Sequence, residues 1–321
     1  VTAHSGQFFT YAIGKQTGEG TAQTTPKYKG RVTGGAVVPQ PQVIDLPETD
    51  SSIQRSRSVK VGQLVGGAFE KFVRTDEYAF LAYGALGANS TSGAGPYTHT
   101  ATANGAPPFF TIYSAYDTTA LVDRYVDCRI TELVTRGGGG QALGVTATFL
   151  GKTSTHGETD PVATPSAVEP LVYPHVTVTF DSVTTDIVES FEITSAKVGI
   201  PVQGDTGMSV SAISLGRWAV TGRMRVLFET DAIWRKWITA SGVGTTPSQT
   251  LYTAPLTILA SRTATSDQIT WTMTAVELRA VTLVPDPAGN PLFYDIEWSA
   301  QPQATIANTL AVETKNLIAT Y

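Results

Sequence analysis

His156, Glu158 and Asp160 bring an imidazole and two carboxylates close together, with His175 further on, and these are the side-chain types of a metal centre. Their surroundings are rich in Gly, Thr and Pro and lack a recognised ligand spacing, so they read as a solvated joint. The histidines otherwise sit apart, and no Ser occupies a G-x-S-x-G elbow. A triad can assemble from distant residues, but nothing local nominates one. Gly137 to Gly140 could cradle a phosphate, yet Gln141-Ala142-Leu143-Gly144-Val145 continues as a strand and not a helix, which makes the glycines a hairpin tip. Trp234 and Trp237 could stack on bases or sugars, but their helical phase groups them with Ile233 and Ile238, as packing residues. Cys128 lies in a strand-like run and reads as a small buried hydrophobe. The expectation is no catalytic, cofactor or metal residue, and no enzyme.

What remains is architecture. At 321 residues the chain has room for two domains, each with its own core. Charged residues make up 15%, against roughly 25% in ordinary globular chains, which calls for an uncharged polar exterior or, the favoured reading, one largely covered by neighbouring subunits. The net charge of -5 and the absence of a basic cluster argue against a strong nucleic-acid binder. A single cysteine excludes an intrachain disulfide and suits a reducing compartment. No apolar run is long enough to span a bilayer, and Val1-Thr2-Ala3-His4-Ser5 lacks the apolar core of a secretory signal.

A repeat organises the chain. Val65-Gly66-Gly67-Ala68-Phe69-Glu70-Lys71-Phe72-Val73-Arg74-Thr75-Asp76 recurs, 155 residues on, as Val220-Thr221-Gly222-Arg223-Met224-Arg225-Val226-Leu227-Phe228-Glu229-Thr230-Asp231. One strand face stays apolar in both copies, with Lys71 opposite Val226 as the exception. Thr-Asp then signals a helix start. Tyr78, Ala79, Ala82 and Tyr83 share one helical face, and the same offset lands them on Ile233, Trp234, Trp237 and Ile238. A Gly, Ser and Thr loop follows in each copy, then a long strand, Arg124 to Val134 or Ile269 to Val284. The Glu-Leu pairs at 132 and 277 suggest one register for these strands, while the apolar face prefers a shift of one residue. Turns at Gly137 to Gly140 and Pro285 to Asn290 head hairpins. On the return strands Leu143, Val145, Ala147 and Phe149 share one side, as do Leu292, Tyr294, Ile296 and Trp298; the other sides carry Thr146 and Thr148, or Asp295 and Glu297.

The expected organisation is an N-terminal arm at 1–40, a first domain at 41–151, a linker at 152–170, a second domain at 171–301 opened by the strand His175 to Phe180, and a C-terminal arm at 302–321. The fold class is mainly β, two tandem sandwich or barrel units, each flanked by one short helix.

This order of elements resembles the tail tube proteins of long-tailed, non-contractile bacteriophages, in particular the larger members with two tube domains per chain. The resemblance covers residues 40 to 300. It rests on the strand ending Phe72-Val73-Arg74-Thr75-Asp76, the short helix, the strand Tyr125-Val126-Asp127-Cys128-Arg129-Ile130-Thr131-Glu132-Leu133 and the Gly-headed return strand 141 to 151. It implies packed antiparallel sheets that join between subunits into a barrel, three chains per pseudo-sixfold ring, and rings stacked into a tube in the virion. It also implies assembly in the host cytoplasm, a tape measure protein and a tail terminator as partners, and DNA crossing the lumen without specific binding. On that reading the lumen-facing candidates are Thr146, Thr148, Asp295 and Glu297, on a polar, net-negative wall, and the arms reach the next ring. A β-sandwich adhesin is the competing reading, and a strand-rich hydrolase the enzymatic one.

Overall fold

The computed structural model describes residues 9–46, 57–116, 121–185, 187–204, 207–263, 266–285, 291–302 and 309–321. In chain order the elements are β1 (Thr10–Lys15), β2 (Tyr28–Gly30), β3 (Val37–Asp45), β4 (Ser58–Phe72), α1 (Thr75–Leu86), β5 (Gly87–Ser92), β6 (Tyr97–Ala103), β7 (Phe110–Ala115), β8 (Val122–Gly138), β9 (Gly144–Gly151) and β10 (Thr153–His156). Then come β11 (Val176–Phe180), β12 (Val183–Thr185), β13 (Val188–Gln203), β14 (Val210–Leu227), α2 (Ala232–Thr239), β15 (Thr253–Thr263), β16 (Asp267–Val284), β17 (Phe293–Ala300) and β18 (Ala311–Asn316). The fold is mainly antiparallel β, as the alternation in the sequence predicts.

The long strands form one layer in the order β3-β4-β9-β8-β13-β14-β17-β16, every pair antiparallel. The first four strands belong to one repeat and the last four to the other. Within each, the pairing is the same: β3 with β4, β4 with β9 and β9 with β8, against β13 with β14, β14 with β17 and β17 with β16. A second layer covers the apolar face. It runs β2-β1-β7-β8-β10 in the first repeat and β12-β11-β15-β16-β18 in the second, so β8 and β16 each belong to both layers. One continuous apolar cluster fills the space between the layers, from Tyr11, Phe69, Phe110 and Phe149 to Trp271, Ile296 and Trp298.

Bulges turn β8 and β16 from one layer into the other, the device by which strands make sandwich corners. Phe110 faces Cys128 but Ile112 faces Tyr125, and Ala254 faces Val276 but Leu256 faces Met273. A second bulge follows: Ile130 faces Phe149 and Glu132 faces Thr148, while Leu278 faces Trp298 and Ala280 faces Glu297. Both bulges therefore recur at equivalent places, and Ile130 corresponds to Leu278 and Leu133 to Val281. The offset of 148 corrects both registers read from the sequence, because each bulge inserts a residue that breaks simple alternation.

The glycine shared by the two copies has a steric cause. A Cβ on Gly67 would meet the Ala36 carbonyl at 2.1 Å, and one on Gly222 would meet the Glu192 carbonyl at 2.3 Å and the Trp298 ring at 2.2 Å. The neighbouring strand comes too close at this point for any side chain.

Four expectations change. Within the stretch read as an N-terminal arm, β1 pairs along β7 and buries Tyr11 and Ile13. Within the stretch read as a C-terminal arm, β18 lies between β16 and β6 and buries Val312; residues 303–308 lie outside the described residues. The stretch read as linker holds β10, paired to β8. The loop expected after α1 is a hairpin, β5 with β6. All four segments are short or rich in Gly, Ser and Thr, so their periodicity is weak, and tertiary pairing makes them strands. Of the second hairpin turn, residues 286–290 lie outside the described residues.

The exception on the apolar strand face is also explained. Lys71 is buried, its Nζ donating to the Tyr11 hydroxyl at 2.6 Å and ion-paired with the equally buried Glu77 of α1. Burial alone would push the Lys71 ammonium down; Tyr11 and Glu77 outweigh that and hold its pKa above the ordinary lysine value. In the second repeat the equivalent positions are Val226, Ala232 and, through the matching β11–β15 and β1–β7 registers, Val178. The trio changes chemistry as a unit. Lys71→Met alone leaves the Glu77 carboxylate buried without its partner and should cost about 3–5 kcal/mol in denaturant unfolding. Lys71→Val with Glu77→Ala, copying the second repeat, should cost less than the single change. With the folded lysine pKa raised, the pair's contribution is complete below the ordinary lysine value and should be lost as pH rises through the folded one.

Candidate functional site

The long-strand layer has a second face, away from the core. Strand registers place Ala68 and Glu70 of β4 beside Thr148 and Thr146 of β9, and these beside Glu132 and Val134 of β8. The row crosses into the second repeat through Glu132 opposite Ala196, Val134 opposite Thr194 and Arg136 opposite Glu192. It continues through Arg223 and Arg225 of β14 to Glu297 and Asp295 of β17. The four residues nominated from the sequence thus share one face, with Thr148 and Thr146 at the positions that Glu297 and Asp295 hold in the other repeat.

Its electrostatics are mixed. Arg223 Nη2 lies 3.2 Å from Glu297 Oε1, Arg225 Nε 2.9 Å from Glu189 Oε2 and 3.9 Å from Asp295 Oδ1, and Arg136 Nε 2.7 Å from Glu192 Oε2. Arg225 also sits over the Phe293 ring, 4.5 Å from its centroid. In the first repeat the face is quieter, and Thr148 Oγ1 donates to Glu132 Oε2 at 3.3 Å. Where the repeats meet, the face is concave, enclosing about 970 Å³ between Arg136, Glu189, Glu192, Arg225, Asp295 and Glu297. Along these rows Glu70, Glu132, Glu192, Asp295 and Glu297 stand against Arg136, Arg223 and Arg225. Sequence reasoning missed the arginines, although Arg223 and Arg225 alternate with the buried Met224 and Val226, which was the available signal.

The other nominated residues lie elsewhere. Tyr78, Ala79 and Ala82 are buried in α1 and Tyr83 is half-buried, but Phe80 and Leu81 on the remaining sides are buried too, so α1 is enclosed all round. In α2, Ile233, Trp237 and Ile238 are half-buried and Trp234 is exposed. Thr75 and Asp76 open α1, and Thr230 and Asp231 precede α2. The N-cap residues Arg74 and Asp231 make no side-chain cap bond, but Asp76 Oδ1 accepts from Glu77 N at 2.8 Å and Thr230 Oγ1 from Ala232 N at 3.5 Å, while Thr75 Oγ1 donates to Asp267 of the second repeat. His156, Glu158 and Asp160 are each taken by a separate partner, Asp123, Arg124 and Lys29. Of the expected hairpin tip, Gly137 and Gly138 end β8 and pair with β13, and Gly139 and Gly140 open the turn to β9. Cys128 is buried, and burial, with Asp127 adding to it, pushes its thiol pKa well up.

Arg223 and Glu297 are 72% and 51% exposed, so their attraction is screened by water. Arg223→Ala or Glu297→Ala should therefore change unfolding free energy by less than about 1 kcal/mol, read from urea titrations. A thiol reagent should leave Cys128 unmodified in the folded protein and modify it in denaturant.

A sequence profile of the family described as phage tail tube protein matches residues 10–300. No curated protein matches the chain.

Proposed function

Because the chain belongs to the phage tail tube protein family, we propose that three copies close into a ring, that rings stack into the tube, and that the charged sheet face lines its channel. As a member of that family the chain is a structural virion component that assembles with itself. The finer reading is supported chiefly by the eight-stranded layer and its two open ends. Among the described residues, β3 pairs only with β4, and β16 beyond Leu278 pairs only with β17. Unpaired edges of long strands invite a partner, and closure into a barrel removes them. Pro39 and Pro41 on β3 lack N–H groups, which discourages indiscriminate pairing there. Each repeat supplies four strands to this layer, so three chains give a pseudo-sixfold ring.

DNA would cross this channel passively. Tight DNA binding releases counterions through clustered Lys and Arg, whereas here the arginines are engaged by neighbouring carboxylates and the carboxylates are in excess. A tape measure protein within the tube, a terminator at its end, a long non-contractile tail and assembly in the host cytoplasm complete the reading.

Negative-stain microscopy of the purified chain should show tubes or rings; compact monomers at high concentration would overturn the proposal and favour a β-sandwich adhesin. Phage carrying Asp295→Lys with Glu297→Lys should assemble normal tubes and eject DNA more slowly. Unchanged ejection through normal tubes would remove these residues from the channel wall.

A further inference from the structure

Within one chain the two repeats meet at a second place besides the long-strand layer. Helix α1 and strand β6 of the first repeat close over β16 and β18 of the second. Trp271 Nε1 donates to the Tyr78 hydroxyl at 2.7 Å, with the two rings edge to face. Asn316 Nδ2 donates to the Thr75 carbonyl at 3.1 Å, Thr75 Oγ1 to Asp267 Oδ1 at 3.1 Å, and β6 pairs along β18 from Thr102 to Tyr97. Under this cover Ile269 is 0% exposed and Trp271 1%.

Each side of that contact has a duplicate that is left open. In the second repeat the place of α1 belongs to α2, an amphipathic helix without a single buried residue; Trp234 is 37% exposed where its counterpart Ala79 is 2% exposed. In the first repeat the places of β16 and β18 belong to β8 and β10. Through the 148-residue correspondence Ile269 maps to Leu121, which is 49% exposed, and Trp271 maps to Asp123. Strand β10 pairs with β8 and, among the described residues, with no strand on its other side.

We infer that α2 of one copy docks on the β8–β10 surface of a second copy, reproducing between chains the contact that α1 makes between repeats. The inference rests on the ring reading above. Its two faces lie on different parts of the chain, so the contact is head-to-tail and suits a closed ring. The chemistry differs from the internal contact in the direction a separable contact requires. Where the internal surface carries Trp271 and Val312, the open one carries Asp123 and His156, hydrogen-bonded at 2.7 Å, with Arg124 and Glu158 paired beside them. Such a surface stays soluble before assembly and still offers Leu121 to Trp234, an aromatic anchor of the kind that dominates interfaces.

Trp234→Glu and, separately, Leu121→Glu should leave circular dichroism unchanged; Leu121 is exposed in the single chain, and Trp234 gives up only its ring contact with Trp237, so melting should shift little. Each should raise the protein concentration needed for polymerisation about tenfold or more. For proximity, a Trp234→Cys chain is mixed with a Leu121→Cys chain and treated with a short bismaleimide; the buried native Cys128 should stay silent. A covalent dimer appearing in the polymer and absent from dilute monomer supports the contact. Polymer that forms normally from both glutamate variants, or that yields no such dimer, overturns it while leaving the ring reading in place. A wild-type chain that never polymerises overturns both.

Discussion

The seven residue pairs between β8 and β13, from Ala196 opposite Glu132 to Ser190 opposite Gly138, hold the molecule together as one object. A β-strand cannot leave its backbone polar groups unmatched without inviting a partner, and here each repeat supplies the edge that the other lacks. That constraint aligns the charged faces of both halves. It also brings α1 over β16 and makes the outer edges of β3 and β16 the ends of the layer.

Duplication has preserved geometry more strictly than chemistry. Both bulges of the long strand recur, as does the glycine beneath a neighbouring carbonyl, because each fixes where the backbone goes. Side chains were freer to change provided they changed together. Lys71, Glu77 and Tyr11 form a buried polar cluster where the second repeat has Val226, Ala232 and Val178, since half of either set would strand a charge. The helices diverged for another reason: α1 is enclosed between its own repeat and β16 and β18 of the second, whereas α2 faces outward and carries Trp234 and Arg235 on its exposed side.

Much of this was legible in the residues. The alternation of Leu143, Val145, Ala147 and Phe149 with threonines placed β9 and the polarity of its two faces, and the offset of 155 located β4, β14 and both helices. The long-strand register was hidden because inserted residues near Asp127 and at Thr131 reverse the inside-outside rhythm. The strand character of Thr10–Lys15 and Ala311–Asn316 was hidden because six residues with Gly, Thr and Asn carry little pattern of their own; their partners, not their composition, make them strands. For the charged face, alternation nominated Asp295 and Glu297 but not the arginines opposite, since pairing across strands is set by topology.

The hydrogen bond from Asn316 to the carbonyl of Thr75 spans 241 residues of chain. During synthesis, α1 and the strands around it emerge long before β18, and the site that β18 fills between β6 and β16 stays empty until residues 311–316 are made. Such distant closure makes for slow folding. It also couples maturation of the first half to a strand made much later: a ribosome that stalls before β18 releases a product whose first half is still unfinished, a natural substrate for proteolysis and a poor recruit for any growing polymer.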